Sequence, residues 1–91
     1  MTPLKEAFYF AIISQTEIAQ KLGWSSSFVS QCLSGKKLNK SSAKQLWKLL
    51  PQRLRTRKLA GEIAQMLLEN SDVLEFCSVD KGRAFAWLEF N

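Results

Sequence analysis

The chain has 91 residues, 46% of them hydrophobic, with thirteen Lys or Arg against eight Asp or Glu and no His. That length suits one domain with a modest core, burying about 60–65% of its unfolded surface. The longest apolar run, the seven residues from Ala7 to Ile13, falls short of the ~18 needed for a membrane span, no signal peptide is recognisable, and two cysteines do not make a disulfide framework. These features exclude a membrane partner and lead to the expectation of a cytoplasmic protein with Cys32 and Cys77 as free thiols.

Thr2 followed by Pro3 predicts a first helix with Pro at the first helical position. Leu4, Ala7, Phe8, Ala11 and Ile12 keep one face of it apolar, and it should end near Ile13. The aromatic residues at 8 to 10 read as core. Ser14 and Glu17 have the spacing of a capping box, so a second helix should start at Gln15. Ile18, Ala19 and Leu22 form its stripe, and Gly23 fits the left-handed residue that ends it. Ser25 can cap a third helix with Phe28, Val29, Cys32 and Leu33 as apolar positions, closed by Ser34-Gly35. Two short helices joined by a tight turn containing Gly are the helix-turn-helix signature.

Gly35 to Ser42 reads as a basic loop. Ser41 or Ser42 should cap a fourth helix with Leu46, Trp47, Leu49 and Leu50 on its apolar side, and Pro51 stops it or starts the next. Arg53, Arg55, Arg57 and Lys58 follow. Leu59, Ile63, Met66, Leu67 and Leu68 predict a fifth helix to about Asn70, although Gly61 costs it about 1 kcal/mol relative to Ala. After that the period changes. Residues 73–79 and 83–90 are rich in strand-favouring side chains, and Asp80-Lys81-Gly82 is turn chemistry, so a β-hairpin is expected. The organisation is then a helical unit over 1–70 and a hairpin over 71–91, either part of the same domain or a dimerisation element.

Charge is unevenly spread. Residues 1–58 carry eleven basic and two acidic side chains, a balance of +9, whereas residues 59–91 carry two basic and six acidic, a balance of −4. No acid occurs from Ile18 through Gly61. A block of that kind points to a polyanionic partner. The chain lacks the residues for most other chemistry. It has no His, its cysteines are far apart in sequence, and its four glycines stand singly. Neither a metal site, a C-x-x-C pair nor a phosphate-binding glycine loop can be drawn. No enzyme activity, cofactor or small-molecule ligand is expected.

Gln15-Thr-Glu-Ile-Ala-Gln-Lys-Leu-Gly23, then Ser25, then Val29-Ser-Gln-Cys-Leu-Ser-Gly-Lys-Lys37 resembles the helix-turn-helix domains of Cro and CI repressor type. Their pattern is Q-x-E-[LI]-A-x-x-[LV]-G, a capping Ser or Thr, then V-S-x-x-[LIE]-[SN]-G-K. Glu17, Ala19, Gly23, Val29 and Gly35 fall in register together. The match covers residues 14–37 and excludes the hairpin. It implies a mainly α, five-helix lambda-repressor-like fold, here with a C-terminal β-hairpin. It also implies a double-stranded-DNA-binding transcription regulator, expected to be a repressor of phage or mobile-element type that binds a two-fold operator as a homodimer.

A recognition helix places its N-terminal residues at base edges in the major groove. The side facing away from Val29 and Leu33 carries Ser26, Ser27, Ser30 and Gln31, and in the resembled family the positions of Ser26, Ser27 and Gln31 read bases. Gln31 suits adenine; the serines are shorter than the Gln or Arg often found there. Phe28 is a second departure, open to two readings: contact with a thymine methyl, or extra core. Expected phosphate contacts are Gln15 and Ser25 at helix starts, and Lys36, Lys37, Asn39 and Lys40 after the recognition helix. The i, i+2 spacing of Arg53, Arg55 and Arg57 spreads them around a helix, so all three cannot face one groove unless the segment is extended. For the hairpin three roles stay open: a dimer interface through Phe76, Phe85, Trp87 and Phe90, a cap on the core, or a docking edge for a protein. Two other functions are weighed, a protein-binding module on the same scaffold, such as an inhibitor of a host nucleoprotein, and a non-specific nucleic-acid binder.

Overall fold

Side-chain caps set where most of the helices begin. The computed structural model describes residues 2–70 and 81–90. Among these it contains six α-helices: α1 Pro3–Ala11, α2 Gln15–Leu22, α3 Ser26–Leu33, α4 Lys40–Leu49, α5 Arg57–Glu69 and α6 Lys81–Phe90. A short 3-10 turn, Gln52–Leu54, lies between α4 and α5, entered through Pro51. Thr2 Oγ1 accepts from the Lys5 N–H at 3.2 Å, Ser14 Oγ from Glu17 at 3.1 Å, and Ser25 Oγ from Phe28 at 3.1 Å. Thr56 does the same for Leu59 at 3.1 Å. Each cap is worth about 1 kcal/mol.

The cap of α4 differs from expectation. Asn39 supplies it, accepting from the Ser42 N–H at 2.9 Å, while Ser42 Oγ accepts from the Asn39 N–H at 2.9 Å. That reciprocal pair satisfies two backbone donors at once, which Ser41 or Ser42 as the cap would not. The end of α1 differs too. The helix stops at Ala11, and Ile12 takes a left-handed backbone with φ 59° and ψ 39°. Ile12 is therefore 86% exposed rather than part of the buried stripe. Of the aromatic residues at 8 to 10, only Phe8 is core. Tyr9 and Phe10 are 70% and 56% exposed, because successive residues turn by about 100° and Leu4, Ala7 and Phe8 already fill the inward face.

One core runs through all six helices. Its fully buried side chains include Leu4 and Phe8 of α1, Ile18 of α2, Val29, Cys32 and Leu33 of α3, Leu46 and Trp47 of α4, Ile63 and Leu67 of α5, and Leu88 of α6. Helix α5 is the spine, since α1 and α6 both pack on it; α6 also packs on α4.

The expected second strand is helix α6, and no strand occurs among the described residues. Lys81 and Gly82 form its first turn instead of a hairpin turn. Residues 71–80, which hold the expected first strand and Asp80, lie outside the described residues. Strand preference of a sequence window reflects how well its side chains fit a pleated surface, and packing overrides it. Here packing favours a helix, because Ala84 and Leu88 fall one turn apart and are both fully buried. Polar contacts agree: Trp47 Nε1–H donates to Glu89 Oε1 at 2.9 Å. Gly61 is part of the same fit. A Cβ there would lie 2.8 Å from Lys81 Cγ, so the glycine that weakens α5 lets α6 approach it.

Candidate nucleic-acid interface

Helix α2 ends in Gly23, whose φ of 71° needs no side-chain sacrifice. Gly23 and Trp24 both return their N–H groups to the Ala19 carbonyl, Trp24 at 3.0 Å. The turn is three residues, Gly23, Trp24 and Ser25, before α3 begins. Burial of Val29, Cys32 and Leu33 fixes the roll of α3 about its axis. Ser26, Ser27 and Ser30 are left exposed, and Phe28 and Gln31 half-buried. These are the five expected base-reading positions; Ser26, Ser27, Ser30 and Gln31 lie off the core face of the helix, whereas Phe28 packs against the core, as the second of its two readings had it.

The C-terminal end of α3 is held from two directions. Thr2 Oγ1 donates to the Leu33 carbonyl, and Asn70 Nδ2 donates to the carbonyls of Gly35 and of Leu38, the latter at 3.2 Å. The Gln31 carbonyl accepts from the N–H of Lys36 at 2.9 Å and from Ser34 Oγ at 2.9 Å. Gly35, at φ 89°, completes the reversal. The loop that follows therefore leaves α3 along one path, carrying exposed Lys36 and Lys37 and leading to exposed Lys40.

The expected phosphate contacts are not equivalent. Gln15 is half-buried at the first position of α2. The Ser25 hydroxyl accepts the Phe28 N–H, which leaves its own proton to donate. Asn39 is exposed, but its carboxamide oxygen is occupied in the α4 cap. Lys36 and Lys37 are exposed on the loop itself. Cys32 lies beneath, its Sγ 3.9 Å from the Lys37 carbonyl; burial pushes its thiol pKa up, offset in part by a hydrogen bond with Ser42 and by the Lys37 charge.

Two of the three arginines have duties inside the fold. Arg55 Nε lies 3.4 Å from Glu89 Oε1, and the Arg57 guanidinium lies over the Phe85 ring at 6.0 Å. Lys44 similarly sits over Trp87 at 4.5 Å. Arg53 is exposed. Lys44 of α4, Arg55 after the 3-10 turn and Arg57 of α5 thus all contact side chains of α6. Correspondingly, the residues expected at a dimerising hairpin are differently placed. Phe85 packs edge-to-face on Trp47 with centroids 5.9 Å apart. Trp87 is half-buried under Lys44, and Phe90 alone of the described three is exposed, at 79%. Phe76 lies outside the described residues.

Two contributors were not anticipated from sequence. Trp24 packs edge-to-face against Phe28, centroids 4.8 Å apart and rings at 82°. The aromatic i, i+4 spacing across the turn was the available signal. In the sequence Asn70 marks only a helix end, and nothing local points to its clamp on Gly35 and Leu38.

No protein-family model, no curated protein and no solved structure matches this chain. A functional reading therefore rests on the residues and geometry of α2, the turn and α3.

Proposed function

We propose that the protein is a sequence-specific double-stranded-DNA-binding transcription regulator of Cro/CI helix-turn-helix type. Within this proposal it acts as a repressor of phage or mobile-element kind, as a homodimer on a two-fold operator, in the cytoplasm at the nucleoid. One observation carries the reading. Exposed Ser26, Ser27 and Ser30 with half-buried Gln31 line the outer side of α3, with exposed Lys36, Lys37 and Lys40 next in the chain, in a stretch without an acid from Ile18 to Gly61. The serines and glutamine offer hydrogen bonds to base edges. The lysines neutralise phosphates, and each phosphate contact releases counterions, so affinity should fall steeply with salt. The homodimer is the form that would match a two-fold operator; Ala84 and Leu88 of residues 81–90 serve the core of their own subunit, and Phe90 is exposed.

The test is selection of duplexes from a random pool, followed by binding at several salt concentrations. Gln31→Ala should relax preference at one base position, and Lys37→Ala should weaken all sequences alike and make the salt slope shallower by about one. Equal competition by random and selected duplex would overturn specific reading and leave a non-specific binder. A second reading, a protein-binding module, is favoured by the exposed Tyr9, Phe10 and Ile12 together at the end of α1. Failure to bind any duplex, with capture of a protein that Tyr9→Ser releases, would establish it instead.

A further inference from the structure

Helix α3 has the sequence SSFVSQCL, with no Arg, Lys, Asp, Glu or Asn. Guanine presents two acceptors in the major groove and is best met by the paired donors of Arg or the ammonium of Lys; cytosine presents a donor best met by a carboxylate. This helix offers neither. What it does offer matches the other base pair. A carboxamide meets adenine N6 and N7 together, and an apolar surface meets the thymine methyl. Gln31 has the carboxamide, which hydrogen-bonds no described residue, while its backbone carbonyl is fixed by Lys36 and Ser34. Phe28 has the apolar surface. It is one helical turn from Gln31, on an adjoining strip of the helix, and its ring is half-buried against Trp24. Trp24 and Phe28 both also pack against the core, and that packing together with the edge-to-face contact restrains the ring, so the part of it left exposed is an ordered apolar surface.

Resting on the reading of α3 as the base-contacting helix, we infer that the half-site it recognises is A·T-rich, with Gln31 on adenine and Phe28, braced by Trp24, on a neighbouring thymine methyl. Trp24 acts through Phe28 and is a positioning residue. The serines add single, interchangeable hydrogen bonds that tolerate any base. Specificity is then strongest over two adjacent A·T pairs.

The test starts from the duplex selected out of a random pool by the full chain. Deoxyuridine replaces each thymine of the half-site in turn, which removes only the methyl group. At one position this should weaken the wild-type protein about four-fold, the value of one buried methyl. Phe28→Ala should bind the thymine and deoxyuridine duplexes equally, and Trp24→Ala should reduce the four-fold difference. Phe28→Leu, which stays apolar, should retain part of it and guards against loss of fold, checked by circular dichroism. Selection of invariant G·C pairs opposite α3, or a deoxyuridine effect undiminished in Phe28→Ala, overturns the inference while leaving specific DNA binding intact. No selected sequence at all overturns the functional reading itself.

Discussion

Replacing Glu89 with Ala isolates the contact that seats α6. The Trp47 side chain is fully buried, and its indole N–H donates to Glu89 Oε1 at 2.9 Å. The same oxygen is 3.4 Å from Arg55 Nε, with the two ionic side chains 24% and 19% exposed. Removing the carboxylate leaves the indole N–H buried without an acceptor, at a cost of about 1–3 kcal/mol. The ion pair is partly screened and adds at most about 1 kcal/mol. Glu89→Ala should therefore destabilise by about 2–3 kcal/mol, lowering the melting temperature by about 10–20 °C in a domain of this size. Glu89→Gln keeps an uncharged acceptor and should lose about 1 kcal/mol. The assay is urea unfolding followed by circular dichroism, run as a cycle with Trp47→Phe. Trp47→Phe removes the donor, so the two changes together should cost about 1–2 kcal/mol less than their sum. A loss below about 0.5 kcal/mol for Glu89→Ala, the range of ordinary surface changes, or strict additivity with Trp47→Phe, would refute the seating of α6 on α4.

Ile12→Asn should stabilise by about 1 kcal/mol, because a β-branched residue in the left-handed region is strained and Asn tolerates it; an unchanged or lower urea midpoint would contradict this. Gly61→Ala should show its helix-propensity gain of about 1 kcal/mol only when Lys81 is shortened to Ala, since the new Cβ otherwise meets Lys81 Cγ at 2.8 Å; equal effects in both backgrounds would exclude the clash. Burial raises the Cys32 thiol above its ordinary value of 9.0, so the folded state holds that proton more tightly than the unfolded state does. Its contribution is complete below pH 9.0 and is lost as pH climbs from there through the folded pKa. Urea midpoints between about pH 8 and 11, across the thiol and amine titrations, should thus fall more steeply in the wild type than in Cys32→Ala, and parallel curves would refute it.

Helices α1 to α3 and α5 were legible in the sequence because their signals are local. Thr2-Pro3, Ser14, Gly23 and Ser25 act on backbone groups within four residues, and the structure uses each as its chemistry suggests. Asn39 lost to Ser41 and Ser42 in the reading because three capping residues stand within four positions, and only the reciprocal bond with Ser42 distinguishes them. Helix α6 was not legible, because its decisive partners lie far away in sequence. Trp47 is 42 residues from Glu89, and Lys81 meets the space above Gly61. Its helical spacing, Ala84 with Leu88, was visible but was outweighed by the run of aromatic residues. At the candidate site the outward placement of Ser26, Ser27, Ser30 and Gln31 followed from periodicity, whereas Phe28 fitted both a core and a surface position and packs against the core. The bracing of Phe28 by Trp24 depends on the geometry of the turn, and the division of the arginines between α6 and solvent depends on where α6 packs.

The double hold on the end of α3, from Thr2 at one terminus and Asn70 at the far end of α5, bears on when that helix is ordered. Eight residues are too few for a helix to persist alone in water. Tied to the first and fifth helices, α3 should not fray independently, and its amides should exchange with solvent only as slowly as those of α5. Under the proposed function, encounter with DNA then requires no ordering of the reader. Association should show little of the heat-capacity signature of coupled folding, and its rate should be governed by charge steering rather than by a conformational step.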